Sequence, residues 1–249
     1  IAVGLGDKNF NDNWFSDKSG INISKKNKNY GEYTYHYWIW KNYLDKLDNK
    51  WLGFCQYRKF WSLKENNLIL NSFSSLESIA LKEVPNSYQE FDAILGEETF
   101  INQFRPMKFL KRGFRFMLKN PSFFIDKRKR NLKFHFDFWH GEGNLNKAIN
   151  LLDKENKEDF RTFVNSKFSF NPHNMFLCKS TKILNKYYST IFPWLDRCEK
   201  EFGFNELTGY GKTRIYGFLA ERFLSYWFQK NLRIKTMPII YYDIGKDII

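Results

Sequence analysis

The pattern of hydrophobic and polar positions predicts short buried strands that alternate with amphipathic helices. Short apolar runs bounded by turn residues predict strands at 51–57, 91–95, 168–178 and 233–242. Apolar residues at helical spacing predict helices at 30–47, 144–166, 182–202 and 214–230. Pro193 lies inside the third helix, which predicts a kink or two separate pieces there.

This order of elements predicts an α/β fold, with a mostly parallel sheet and helices on both of its faces. No linker rich in Pro, Gly or Ser divides the chain, so we expect residues 1–249 to form one domain. Ligands of such sheets bind outside the carboxyl ends of the strands. The rule directs attention to Arg58 and Lys59, to Gly96 and Glu97, and to the neighbourhood of Asn174.

Composition and charge exclude only some classes of function. Hydrophobic residues make up 43% of the 249 residues and aromatic residues 20%, which is enough for a sizeable core. The formal net charge of +13 suits phosphate-bearing substrates, anionic membranes or nucleic acid. A compositional drift toward lysine, as in an AT-rich genome, explains the same excess equally well.

The cysteines and the hydropathy suggest a location. Three widely spaced cysteines without zinc-site spacing indicate a reducing cytoplasm. No run approaches the ~20 apolar residues that span a bilayer. The sequence starts at Ile1 without Met, which leaves a preceding targeting segment open.

The stretch at about 104–133 is strongly basic, with Phe and Leu between the Lys and Arg residues. On a helix this pattern is typical of a membrane surface that carries anionic headgroups. It predicts a basic helical insertion that holds the protein at the inner face of the cell membrane. A solvated helix with its Phe side chains in the core fits the same pattern.

Common catalytic motifs are missing. The chain has no GxGxxG after a strand, no P-loop, no GxSxG and no HExxH, which argues against dehydrogenases, P-loop NTPases, serine hydrolases and zinc proteases. It also has no obvious DxD pair to hold Mg²⁺ or Mn²⁺ against a diphosphate, so a role for either ion stays open. Arg58 and Lys59 could neutralise a diphosphate without a metal; a surface charge pair is the alternative.

Several blocks of sequence resemble a bacterial glycosyltransferase family from capsule, exopolysaccharide and O-antigen clusters, first catalogued as a domain of unknown function. The blocks occur in family order: Ile23–Asn27 with Tyr30–Asn42, Gly53–Trp61, Phe91–Leu95, Asn174–Phe176, Ile191–Pro193 and Arg214–Arg222. Gln56 replaces a histidine of the family block "GLCHYRRYF". The family also has a first strand before the segment matched by Val3–Gly4, which this sequence does not contain.

The resemblance implies a fold of the GT-A type and the transfer of a sugar from a nucleotide-diphosphate donor. Some family members are associated with galactofuranose and a uridine-diphosphate donor. The expected acceptor is a saccharide or a lipid-linked saccharide. The alternatives are a non-catalytic scaffold and a basic protein that binds nucleic acid, although no nucleic-acid recognition pattern is present.

Site residues are assigned on this basis. The proposed donor-binding residues are Asn27, Tyr30, Tyr57, Arg58, Lys59, Arg214 and Arg222. The proposed sugar- or acceptor-binding residues are Asn174 and Asp92, and no metal ligand is assigned. Glu221 is the first choice for a catalytic base and His140 the second, because a transfer needs a group that takes the acceptor hydroxyl proton.

Each assignment has a structural alternative. Glu221 could pair with Arg214 or Arg222, and His140 could be structural. Glu32 lies in an aromatic helix and needs a partner if buried, for which Lys41 or Arg58 would serve.

Overall fold

A computed structural model describes residues 1–47, 50–64, 72–102 and 126–243. The strands are β1 (Val3–Gly4), β2 (Phe15–Ser16), β3 (Leu52–Gly53), β4 (Lys59–Trp61), β5 (Ala93–Gly96), β6 (Thr99–Phe100), β7 (Ser169–Phe170), β8 (Phe176–Cys178), β9 (Ile234–Met237) and β10 (Ile239–Tyr241). The α-helices are α1 (Asn27–Tyr30), α2 (Tyr33–Asn42), α3 (Phe73–Ile79), α4 (Leu132–His140), α5 (Asn144–Asn150), α6 (Lys154–Ser166), α7 (Thr181–Phe202), α8 (Tyr210–Thr213) and α9 (Ile215–Asn231).

The main sheet is mixed, which corrects the expectation of a mostly parallel one. Its strand order is β3-β8-β5-β9; β5 and β9 are parallel, whereas β8 is antiparallel to both of its neighbours. Strands β3, β5 and β9 therefore run in the same direction. Their carboxyl ends share one edge of the sheet with the amino end of β8. We call this the carboxyl edge.

The two faces of the main sheet are covered differently. Leu95 and Phe176 belong to the large core that the helices form, whereas Ile94 and Leu177 pack with Trp61 of β4 in a smaller cluster. Successive residues of a strand point to opposite faces, which explains this division. The smaller cluster includes partly buried residues of 81–88. No α-helix among the described residues contributes to this cluster, so the expected helices on both faces of the sheet are not observed in the described part of the chain.

Helix α9 is the centre of the large core and confirms the helix predicted over 214–230. Nearly all of its side chains from Ile215 to Phe228 are buried. It packs against α7, α1 and α6. Apolar side chains on nearly every side of a helix place it in a protein interior.

Other predicted elements have different boundaries in the structure. The helix predicted over 30–47 is divided at Gly31, whose φ is +59°, and the helix predicted over 144–166 is divided between α5 and α6. Helix α7 continues through Pro193. The strand predicted over 51–57 ends at Gly53, so the following residues form a turn into β4.

The basic insertion predicted over 104–133 lies mostly outside the described residues, since 103–125 are among those not described. Its described end contains a single turn of 3-10 helix, Lys127–Lys129, and the start of α4. Across the described ranges, every helix is too short or too polar to cross a bilayer.

Candidate functional site

Eight polar residues meet at the carboxyl edge. Gln56 and Lys59 follow β3, and His173 and Asn174 precede β8. Glu32 directly precedes α2, and Arg214 directly precedes α9, which carries Glu221 and Arg222. Hydrogen bonds link members of this set across four separate segments of the chain. We call these eight residues the Glu32–Glu221 network.

Glu32 joins three of these segments. Its Oε1 accepts hydrogen bonds from Gln56 Nε2 at 3.1 Å and from Asn174 Nδ2 at 2.9 Å. Its Oε2 pairs with Arg214 at 3.2 Å. The expected partners of Glu32, Lys41 and Arg58, were therefore wrong. The Lys41 ammonium lies over the Trp40 ring instead.

Gly31 allows this ion pair to form. Its φ of +59° favours glycine, and a Cβ at this position would collide with the Arg214 guanidinium. The backbone of residue 31 therefore gives Arg214 the space to reach Glu32.

The turn before β8 supplies donors to both carboxylates. His173 and Asn174 have φ values of +77° and +53°, in the left-handed region that few residues other than glycine adopt. The His173 N–H donates to Glu221 Oε1 at 2.6 Å, and the Asn174 side chain donates to Glu32. Backbone strain of this kind occurs often at functional sites, where the surroundings hold it in place.

Lys59 brings a cation to the centre of the network. Its Nζ donates to Gln56 Oε1 at 2.9 Å. Burial lowers the pKa of Lys59, although the nearby carboxylates Glu32 and Glu221 oppose this effect. With Arg214 and Arg222, the network holds three cations against two carboxylates, a net charge of +1.

Glu221 is bound to Arg222, the next residue. Its Oε2 lies 2.5 Å from Arg222 Nη1, and the Arg222 side chain is only 2% exposed. The Arg222 guanidinium lies over the Phe170 ring and donates from Nη2 to His135 Nδ1 at 3.3 Å. Arg222 is therefore held inside the protein behind Glu221, which agrees with the pairing considered for Glu221.

His140 is buried near this pair. Its Nδ1 lies 2.9 Å from the Gly211 carbonyl and must carry the proton, because a carbonyl only accepts. Burial, helped by Arg222, lowers the pKa of His140 to about 3. The ring stacks on Phe218. His140 is therefore neutral at physiological pH and a weak base.

Two proposed donor-binding residues lie at the start of the helical core. Asn27 Nδ2 donates to the Gly31 carbonyl and to Thr34, which ties α1 to α2. Tyr30 is buried, and its hydroxyl donates to Glu199 at 2.8 Å. Burial, followed by this hydrogen bond, raises the pKa of Tyr30, so the phenol stays neutral. Both side chains therefore have hydrogen-bond partners within the protein.

Arg58 and Tyr57 lie outside the network. Arg58 pairs with Asp243 at 3.0 Å, and its guanidinium lies over the ring of Tyr57, which is 69% exposed. Of the two adjacent cations Arg58 and Lys59, it is Lys59 that contacts the network, through Gln56.

Asp92 is separated from the other candidates by the length of the sheet. It immediately precedes β5, at the edge opposite the carboxyl edge. Its side chain accepts a hydrogen bond from the Arg233 backbone N–H at 2.9 Å. This contact fixes the entry into β9.

The network does not present the ligand set that Mg²⁺ or Mn²⁺ prefers. Both carboxylates are paired with arginines, whereas these ions favour several oxygen ligands. In the part of the chain that the structure describes, no three His, Cys, Asp or Glu side chains converge as a metal site.

Sequence reasoning missed three members of the network or gave them little weight: Glu32, Gln56 and His173. Glu32 was given a structural role, and Gln56 was treated only as a departure from the family histidine. The signal for Gln56 was its place two residues before Arg58, beside the strand end that the carboxyl-edge rule had singled out.

Comparisons with known proteins agree with this fold. One solved structure, described as "WbbM bifunctional glycosytransferase apo structure", matches 92% of this chain with a TM-score of 0.64 and 19% identity. The chain spans 39% of the length of that protein chain. No curated protein matches significantly. The family model described as "Domain of unknown function (DUF4422)" matches residues 1–232, and the chain therefore belongs to this family.

Proposed function

We propose that this protein transfers a glycosyl group from a nucleotide-diphosphate sugar to a saccharide acceptor, and that the Glu32–Glu221 network is its active site. The observation that carries the proposal is the meeting of Lys59 and Arg214 with two carboxylates at the carboxyl edge. Ligands of α/β sheets bind at such edges. The similarity in fold to a bifunctional glycosyltransferase supports the same reaction class.

In the proposed reaction, Lys59 and Arg214 bind the diphosphate. The bond between the anomeric carbon and the diphosphate oxygen breaks, and its electron pair leaves with the diphosphate. The acceptor hydroxyl oxygen forms the new bond to that carbon. Cations placed near the leaving group stabilise the negative charge that develops on it.

Glu221 is the proposed base for the acceptor hydroxyl proton. The His173 N–H and Arg222 hold both of its oxygens, which fixes the direction of the carboxylate. Each carboxylate oxygen has a second lone pair, so a hydroxyl can still donate to it. Glu32 positions Arg214 and Asn174 rather than reacting itself.

The finer identity of the substrates rests on the sequence resemblance. It favours a uridine-diphosphate donor with galactofuranose as the transferred sugar, and a saccharide or lipid-linked acceptor from surface polysaccharide synthesis. A peripheral position at the inner face of the membrane depends on the basic segment, most of which lies outside the described residues.

Ligand-dependent melting tests this proposal. Uridine diphosphate should raise the melting temperature of the protein, because a ligand that binds only the folded state stabilises it. Lys59→Ala should weaken binding of uridine diphosphate roughly 10-fold, the equivalent of about 1.4 kcal/mol. Arg214→Ala should weaken it by a similar factor.

Arg58→Ala is the matched control, because it removes a cation from the adjacent residue, which pairs with Asp243 outside the network. It should change binding less than Lys59→Ala does. A greater loss in Arg58→Ala would place the diphosphate at Arg58 instead. Stabilisation by single-stranded oligonucleotides but not by nucleoside diphosphates would contradict a transferase.

A further inference from the structure

A concave site lies beside β3 and is lined by residues of the smaller cluster, on the face of the main sheet opposite the helical core. It is a cavity of about 420 Å³, within the ~300–1,000 Å³ range of small-molecule sites. Its lining includes Trp51, Phe54 and Trp61, with Leu177 of β8 beneath them. The proposed reaction does not use this cavity.

Trp51 supplies the accessible aromatic surface of the cavity. Trp61 is only 6% exposed, and the Phe54 ring packs on Phe176 in the large core. Trp51 Nε1 donates to Gln89 Oε1 at 3.0 Å, and Trp61 Nε1 donates to the Phe54 carbonyl at 2.9 Å. Both indole N–H groups are therefore satisfied within the protein. What remains for a ligand is the π-surface and the C–H edge of the Trp51 ring.

Charged side chains form the rim of the cavity. Lys50, Lys82 and Glu83 line it and are exposed. Lys82 and Glu83 have no hydrogen bond or ion pair within the described ranges. An indole face with donors and an acceptor beside it suits a ligand that is apolar on its ring faces and covered with hydroxyl groups at its edge. Saccharides have this character.

The cavity adjoins the Glu32–Glu221 network through the chain. Cys55 lines the cavity, and Gln56, the next residue, donates to Glu32. Consecutive Cα atoms are about 3.8 Å apart, which places one wall of the cavity beside a member of the network.

We propose that this cavity binds a sugar unit of the acceptor saccharide, next to the unit that receives the transferred sugar. The assignment rests on the proposed function, because it takes the network as the place where the donor reacts. The exposed Glu83 carboxylate at the rim accepts hydrogen bonds from sugar hydroxyls and repels a phosphate group.

Indole nitrogen NMR with named probes tests the site. The protein has eight tryptophans, and the signal missing from a Trp51→Phe spectrum identifies Trp51. Methyl β-galactopyranoside and lactose should shift this signal, whereas uridine diphosphate and pyrophosphate should not. A response to pyrophosphate but not to the sugars would overturn the proposal in favour of an anion site.

Substitutions provide a second measurement. Trp51→Ala should weaken lactose binding at least 5-fold, measured by saturation-transfer NMR. Lys82→Ala changes a side chain of the exposed rim and leaves the core intact, and it should also weaken lactose binding. Trp14→Ala is the matched control, since it removes an indole that packs on Phe10 and does not line the cavity.

The thermal shift caused by uridine diphosphate separates the two proposals. If it persists while none of the sugars binds, the acceptor site is wrong and the transferase proposal stands. If it is absent while lactose binds at Trp51, the cavity is a saccharide site and the transferase proposal fails.

Discussion

Two partly exposed carboxylates, Glu32 and Glu199, show how position decides what a residue contributes. Each accepts three hydrogen bonds: Glu32 from Gln56, Asn174 and Arg214, and Glu199 twice from Lys26 and once from Tyr30. Glu199 holds α1 against α7, whereas Glu32 holds the segments of the carboxyl edge together. Substituting each residue in turn therefore separates an effect on stability from an effect on activity.

Glu32→Gln should lower both stability and activity. The amide would lose the charge that attracts Arg214, at a cost of about 1–3 kcal/mol in the free energy of unfolding. Glu199→Gln should cost a similar amount but leave the activity of the folded molecules unchanged. Urea unfolding and donor turnover at a temperature where both variants are folded measure the two effects. Equal turnover in both variants would contradict a role for the network.

At the scale of elements, α7 shows how packing overrides a local signal. Pro193 lacks the N–H that would bond to the carbonyl of Ser189, yet the helix runs unbroken from Thr181 to Phe202. The expected division into two pieces is wrong, because it did not take account of the neighbours, whereas a kink at Pro193 stays a prediction. Buried residues on both sides of Pro193, including Phe192 and Trp194, pack in the core, while the proline itself is exposed.

Pro193→Ala should therefore stabilise the protein by about 1–3 kcal/mol, because alanine restores the missing hydrogen bond and is the better helix former. Ser189→Ala, an exposed substitution in the same helix, is the control and should change stability by less than about 0.5 kcal/mol. The midpoint of urea unfolding measures both. A loss of stability in Pro193→Ala would mean that the proline geometry is needed for the packing of α7.

At the scale of the whole molecule, all four histidines are held as weak bases. Burial is the main cause at each of them: it lowers the pKa of His36 and His140 to about 3 and that of His173 to about 4, and lowers that of His135 well below its usual value. Arg222 adds to the effect at His135 and His140, and Lys59 adds to it at His173. The unfolded chain binds protons at these positions near pH 6.5.

Stability should consequently fall as the pH drops below about 6.5. Between this pH and the lowered pKa values, the unfolded state binds more protons than the native state, at about 1.4 kcal/mol per pH unit for each histidine. Urea midpoints at pH 7, 6 and 5 measure the slope. His36→Gln should reduce the slope by about one histidine's share. A stability that rises toward pH 5 would contradict the burial of these rings.

The amino-acid sequence by itself determined the main helices, most of the strand positions and the edge at which the proposed site lies. These follow from local hydrophobic periodicity, as in α9, and from turn residues at strand ends. The carboxyl-edge rule selected the region of Lys59 and Asn174, and both belong to the network. Arg214, Glu221 and Arg222 came from the sequence resemblance.

Only the tertiary structure decided the direction of β8, the cover on each face of the sheet and the partners of each charged residue. Hydrophobic patterns do not record strand direction, so β8 could not be recognised as antiparallel from its residues. Arg58 and Lys59 are adjacent in sequence, yet Arg58 pairs with Asp243 while Lys59 turns toward Gln56. Such choices depend on contacts between segments distant in the chain, as between Glu32 and Arg214, which no local pattern encodes.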